Sequence, residues 1–234
     1  MEFGTFTPGS ALVTVILIAL APFFAVMVTS FTKIVVVLSI VRNALGLQQT
    51  PPNVVLNGLA LILTVYVMYP TLQDMSAAAG MGDPAVASMP GDEPAVAPAI
   101  EDTQEIITTA DRVKEPLREF LLANTEADDR AFFLATQRRI SGPERAGALS
   151  ETDFVIITPA FAVRELKLAF QIGFLIFLPF LIIDLVISNI LLALGMMMLS
   201  PVTISLPFKI LLFVMIDGWV KLSQNLVLSY SVAT

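Results

Sequence analysis

The 234-residue chain is 56% apolar and only 14% charged, with a mean hydropathy of +0.82, against roughly 25% charged residues in an ordinary soluble domain; it reads as an integral membrane protein. It contains no cysteine and no histidine, which excludes disulfides, Cys/His zinc sites, haem or iron–sulfur ligation and every catalytic triad built on those side chains. The net charge of −7 is concentrated between Thr71 and Asp153, where 16 acidic residues face 7 basic ones, while the rest of the chain carries 4 acidic and 6 basic.

In chain order, a first apolar stretch runs from Ala11 to about Val41 and a second from Val54 to Leu72, joined by a short polar turn around Asn43 to Asn53. The uninterrupted run Leu12 to Val28 would be about 25 Å long as a helix, near the lower limit for a bilayer span. After an acidic middle segment come a third stretch, from about Leu168 to Leu194, and a fourth, from Val202 to about Val232. The pattern predicts an all-α fold: a helical hairpin over 1–72, an extracytoplasmic insertion over 73–153, and a second hairpin over 154–234.

Within the insertion, Ser76 to Ala99 is rich in Ala, Pro, Gly and Met without periodicity and reads as a flexible linker within 73–100. From Thr103 to Ile140, inside a helical portion over 101–142, Val113, Leu117, Phe120 and Leu121 fall on one helical face. Thr125 and Asp128 form a capping-box signature, and Gly142-Pro143 supplies a stop. Helix starts are predicted at Thr50-Pro51, Thr158-Pro159 and Ser200-Pro201, and more weakly at Thr7-Pro8, because a hydroxyl at the N-cap and a proline at the first helical position suit the unpaired N–H groups there. Pro22, Pro179 and Pro207 lie inside apolar runs and predict kinks. Asp217-Gly218-Trp219 predicts a break in the fourth helix, with the indole suited to a membrane interface.

Lys33 and Arg42 bracket the first hairpin turn, and the positive-inside rule then places that turn in the cytoplasm and the acidic insertion outside. Arg164 and Lys167 fall on the outer side in that arrangement, against the rule. The N-terminal residues hold Glu2 as their charged side chain and lack a basic n-region, so no cleavable signal is expected.

Candidate functional residues are those that an apolar helix tolerates badly. Met196, Met197 and Met198 lie at the tip of the second hairpin; unbranched, polarizable side chains there would either form a deformable seal or fill a helix end against lipid. Glu165, Lys167 and Lys209 lie at the edges of, or within, apolar helices, where a charge finds a partner or snorkels to the interface. A Glu165–Lys209 ion pair, within one chain or between subunits, would satisfy two of them. Asp184, deep in the third stretch, would be protonated, paired or facing a wet cavity; without an evident base on another helix its role is structural rather than a proton relay. Lys33, among Thr29, Ser30 and Thr32, reads as part of a polar set that lets helices approach and bond.

The runs TSFTKIVVVLSIVRNALGLQQTPPNVVLNGLALILT, from Thr29 to Thr64, and PAFAVRELKLAFQIGFLIFLPFLIIDLVISNILLALGMMMLSPVTISLPFKILLFVMIDGW, from Pro159 to Trp219, resemble the FliP/SctR family, the export-gate proteins of bacterial type III secretion in flagella and virulence injectisomes. The resemblance covers about 100 of the 234 residues and is carried most specifically by LGLQQTPPNVVL, ELKLAFQIGF and GMMMLSPVTISLPFK. It implies a non-enzymatic subunit without cofactors, assembled as a homopentamer with small FliQ/SctS-type and FliR/SctT-type membrane subunits, and working with FlhB/SctU-type and FlhA/SctV-type export proteins. Its implied place is the bacterial inner membrane, in contact with lipid, the complex projecting to the periplasmic side. Unfolded secreted proteins would pass through it, and nucleic acid has no part. The resemblance also implies that Met196, Met197 and Met198 form the pore gasket and that Glu165 and Lys209 form an inter-subunit salt bridge, with Asp184 and Lys33 as further buried charges. Because flagellar members usually carry an N-terminal signal sequence, the virulence branch is the expected one. The rival reading is an ion-coupled secondary transporter with Asp184 as its coupling carboxylate.

Overall fold

In the segment FTKIVVVLSIVRNA, residues 33, 34, 37, 38, 41 and 44 recur at helical spacing on one face, and all six are buried. A helix with so wide an inward face belongs at the centre of a bundle. A computed structural model describes residues 8–80, 103–141, 149–196 and 198–230. Among them the secondary structure is entirely helical: α1 (Pro8–Met27), α2 (Phe31–Ala44), α3 (Asn53–Ala78), α4 (Thr103–Ala123), α5 (Ala127–Ser141), α6 (Phe154–Ala193), α7 (Pro201–Met215) and α8 (Gly218–Leu228). The predicted linker, Ser76 to Ala99 within 73–100, lies outside the described residues from 81 onward, and its start is corrected, since residues 73–78 continue α3 to Ala78. The Gly142-Pro143 stop, Thr7 and Met197 also lie outside the described residues.

Helix α2 packs chiefly on α6 and also on α3. Ile34, Val37, Leu38 and Val41 are wholly excluded from solvent, among Leu56 and Ala60 of α3, Ala169 and Phe180 of α6, Phe213 of α7, and Leu222 and Leu226 of α8. Burying each such side chain is worth about 1.5–3 kcal/mol relative to leaving it in water. The close approach of α2 and α6 needs Gly173, where a Cβ would lie 2.5 Å from Ile40 Cδ1. A second cluster joins Val67 and Met68 of α3, Phe120 and Leu121 of α4, Ile157 and Phe161 of α6, and Tyr230. The helical portion of the insertion is therefore packed against both hairpins.

Several boundaries differ from the sequence expectation. The first apolar stretch is two helices, broken at residues 28–30; Thr32 donates its hydroxyl to the Val26 carbonyl across the break, at 3.2 Å, as hydroxyl side chains commonly do where they compete with the helix ladder. α3 begins at Asn53, with Pro52 at its N-cap. α6 begins at Phe154, so that Pro159 lies inside it. There the burial of Ile156 and Ile157 draws the helix start upstream, and a proline in the second turn removes only one backbone bond. α7 does start at Ser200-Pro201, though with no side-chain cap bond from Ser200.

α6 has 40 residues, hence a length of about 60 Å, twice the roughly 30 Å of a bilayer's hydrocarbon core. Among the described residues α3 and α6 are long and apolar enough to cross a membrane. The pair α7 and α8, bent by 59°, meets the same criterion together. The bend falls at Asp217, whose φ of 53° lies in the left-handed region that Asp tolerates better than most residues. Gly218 follows because a Cβ there would lie 2.3 Å from the Phe213 ring. Phe213 in turn meets Trp219 edge to face, centroids 5.2 Å apart, so the half-buried indole packs on the protein core.

Candidate functional site

Two buried polar centres hold the bundle together, one at each end of α2. At its start, Lys33 and Glu165 are each 1% exposed, with Nζ and Oε1 3.3 Å apart. The Tyr230 hydroxyl donates a short hydrogen bond to Glu165 Oε2 and lies 3.2 Å from the Ser30 carbonyl oxygen. Lys33 Nζ also sits 3.4 Å from the centroid of the Tyr230 ring, an attraction between a cation and an aromatic face that strengthens when water is excluded. One ion pair thereby ties α2 to α6 and to the C-terminal end of the chain. The charges are retained because removing either would leave the other buried and unpaired.

At the other end of α2, Lys209 Nζ lies 2.6 Å from Asp184 Oδ2 and donates to the Ala44 carbonyl at 3.2 Å. Ser205, fully buried, donates to Asp184 Oδ1 at 2.5 Å. Lys209 thus satisfies a carbonyl in the last turn of α2, where a cation complements the helix dipole. The α2–α3 turn is tied down by Arg42, which donates to Asn53 Oδ1 at 2.6 Å and to the Pro51 carbonyl at 3.3 Å.

Glu165 and Lys209 are not brought together within the chain, which corrects the intrachain form of that expectation. Each is buried with another partner, because α2 supplies Lys33 to the first and the hairpin itself supplies Asp184 to the second. Asp184 is consequently neither isolated nor without a base. Lys33 acts as an ion-pair partner more than as packing glue, and among its polar neighbours Ser30 is fully buried while its hydroxyl has no hydrogen-bond partner. Sequence reading missed Tyr230 and Ser205 altogether. A signal for the Asp184–Lys209 pair was available: the two lie equally far from the hairpin tip, so antiparallel arms of equal rise bring them level.

The misplaced charge at Arg164 also finds its partners. Its guanidinium lies 2.5 Å from Glu126 and 3.5 Å from Asp129, both of the insertion. That contact holds the Glu126 carboxyl below the usual carboxylate range, first through the hydrogen bond and then through the charge of Arg164, with Lys167 adding to it.

The hairpin tip is built to present methionine. Gly195, at φ 71°, ends α6 in a left-handed cap, with Met196 N–H donating to the Leu191 carbonyl and Gly195 N–H to that of Leu192, the paired bonds of a Schellman motif. A turn then closes from Met196 to Leu199. Met198 at its apex is fully exposed and Met196 is 44% exposed. Among the described residues no group of acids is placed to hold a metal ion.

Long apolar helices, charges paired inside the bundle and an exposed methionine turn between two of those helices define an integral helical membrane protein. The family model described as FliP matches residues 13–226, through the insertion as well as both hairpins, and the chain belongs to the FliP family. It is 45% identical over 217 residues to Yop proteins translocation protein R of Yersinia pestis, covering 92% of each chain. It is 42% identical over 222 residues to hypersensitivity response secretion protein HrcR of Ralstonia nicotianae, covering 95% of this chain and 97% of the relative. To flagellar biosynthetic protein FliP of Caulobacter vibrioides it is 42% identical over 213 residues, covering 91% of this chain and 73% of the relative.

Proposed function

We propose that this protein is a core subunit of a type III secretion export gate, helping to form the channel by which unfolded proteins leave the cytoplasm across the bacterial inner membrane. The observation that carries the reading is the FliP-family match over residues 13–226 together with near full-length identity to proteins named for secretion and translocation. Its role is architectural rather than catalytic. The 1–72 and 154–234 hairpins form the gate wall, and the 73–153 insertion faces the periplasm. Large apolar faces support assembly: Leu61, Ile62, Val65 and Tyr66 on α3 and Phe170 and Phe174 on α6 are all at least half exposed, more than a lone soluble chain tolerates. In the assembled gate those faces meet further copies, in a homopentamer, together with FliQ/SctS-type and FliR/SctT-type subunits and lipid. FlhB/SctU-type and FlhA/SctV-type proteins would deliver substrates from the cytoplasmic side.

The methionines at 196–198 would then be the gasket of the closed channel. The transporter reading needs an acid free to load and release a cation, whereas Asp184 is engaged by Lys209 and Ser205. Native mass spectrometry of the protein in detergent, expressed alone and with the two small membrane subunits, tests the proposal. A pentamer that recruits both partners is expected; a stable monomer or dimer that ignores them would overturn it.

A further inference from the structure

Two features of the C-terminal hairpin leave a gap that no side chain fills. Pro179 takes one backbone bond from α6, and α7 gives way to α8 at 59°. Between them lies a cavity of about 410 Å³, walled by Ile172, Leu175, Phe180, Phe213 and Leu222, with Lys221 and Asn225 as its polar side chains. Gly218 shapes it, since only a residue without a Cβ lets the Phe213 ring lie so close to the bend. The size is that of an ordinary ligand pocket.

Of the six cations outside the insertion, four have an ion-pair or hydrogen-bond partner among the described residues: Lys33 with Glu165, Arg42 with Asn53 and Pro51, Arg164 with Glu126, and Lys209 with Asp184; Lys167 feels the charge of Glu126 without a direct contact. Lys221, exposed at the mouth of this cavity, has no anionic partner among the described residues. An apolar void left empty forfeits the dispersion contacts of its lining, and water gains nothing there because the wall offers almost no hydrogen bonds. In a bilayer the apolar material at hand is the acyl chain.

We propose that this groove binds one anionic phospholipid, its acyl chain lying against Leu175, Phe180 and Phe213 and its phosphate held by Lys221 with the Asn225 carboxamide beside it. A single unpaired ammonium favours a headgroup of net negative charge over a zwitterionic one, whose own cation competes for the phosphate. The site is independent of the export role and would persist if that role failed.

The test is native mass spectrometry of the full chain in detergent, after incubation with phosphatidylglycerol or phosphatidylcholine of the same acyl length. The wild type is expected to retain one phosphatidylglycerol per chain, roughly five- to tenfold in preference to phosphatidylcholine, the discrimination one surface lysine supplies. Lys221→Gln should bring the two lipids to parity, and Leu175→Trp, made at a position 66% exposed, should fill the groove and abolish retention of both. Equal retention of both lipids by the wild type, or a lipid ratio unchanged by Lys221→Gln, would overturn the proposal. So would capture of inorganic phosphate without lipid. A Leu175→Trp chain that keeps its lipid but loses self-association would assign the groove to a second copy instead.

Discussion

Lys33 and Glu165 are 132 positions apart in sequence and buried together, a placement whose energetics depend on both charges being present. Removing one partner of such a pair costs about 3–5 kcal/mol, whereas replacing both with apolar side chains of similar volume is often nearly neutral. Lys33→Met alone should therefore lower the thermal stability of the detergent-solubilised protein markedly, and Lys33→Met with Glu165→Leu should recover most of the loss. Tyr230 limits the recovery, because its hydroxyl then loses its carboxylate acceptor. The same cycle, read as secretion with reciprocal charge swaps, separates this pairing from a Glu165–Lys209 bridge between subunits. For that bridge to form, Glu165 and Lys209 would have to exchange the partners they have within the chain. Rescue by swapping Glu165 with Lys209, and none by swapping Lys33 with Glu165, would show that the intrachain pair is not the one that matters. That Lys33, Glu165, Asp184 and Lys209 were charged and costly was plain from their apolar flanks, and equal distance from the hairpin tip marked Asp184 and Lys209 as a pair; that Lys33 meets Glu165 was not legible, because pairing across 132 positions is set by how α2 packs on α6.

At the level of elements, α5 is fastened to α6 by ion pairs at Arg164 as well as by packing, and that fastening depends on pH in a definite sense. The lowered Glu126 pKa means that the contact contributes fully above the unfolded carboxylate value of about 4.3 and is lost as pH falls through the lower, folded value. Hydrogen exchange over 127–141 should thus stay unchanged at pH values above the unfolded carboxylate value of about 4.3 and quicken only as pH falls below it, after correction for the intrinsic exchange rate. Glu126→Gln should raise exchange at neutral pH and flatten that acid step; an identical pH profile in the variant would exclude the ion pair as the fastening. The helical character of α4 was readable from the spacing of Val113, Leu117, Phe120 and Leu121, that of α5 from the Thr125–Asp128 start signature, and the Asp217-Gly218 break from its residue types. The break after α1 and the early start of α6 were not. The first is made by a local competition, the Thr32 hydroxyl bonding the Val26 carbonyl in a stretch whose apolar run reads as continuous helix; the second depends on the tertiary burial of Ile156 and Ile157, which outweighs the local signal of Thr158-Pro159.

At the scale of the whole molecule, four charges of the hairpins, Lys33, Glu165, Asp184 and Lys209, are drawn into the bundle and paired while Met196 and Met198 stand exposed at the tip, and this inversion of the usual order suits a subunit of a larger membrane assembly. The turn at 195–200 is rigid where it joins the helices, through the Schellman bonds of Gly195 and Met196 and through Pro201 at the first position of α7, yet Met198 at its apex touches little of its own chain. A flexible thioether on a fixed stem can close against neighbouring copies in several rotamers and still yield to a passing polypeptide. If these side chains seal the gate, replacing Met196, Met197 and Met198 with alanine removes the sealing volume without disturbing the stem, since neither cap bond nor buried charge is touched. Purified gate complexes carrying the triple substitution should reconstitute with unchanged composition and show a higher resting ion conductance in planar bilayers. Conductance equal to the wild type in intact complexes would place the seal elsewhere and leave the methionines as contacts to lipid or to partner helices.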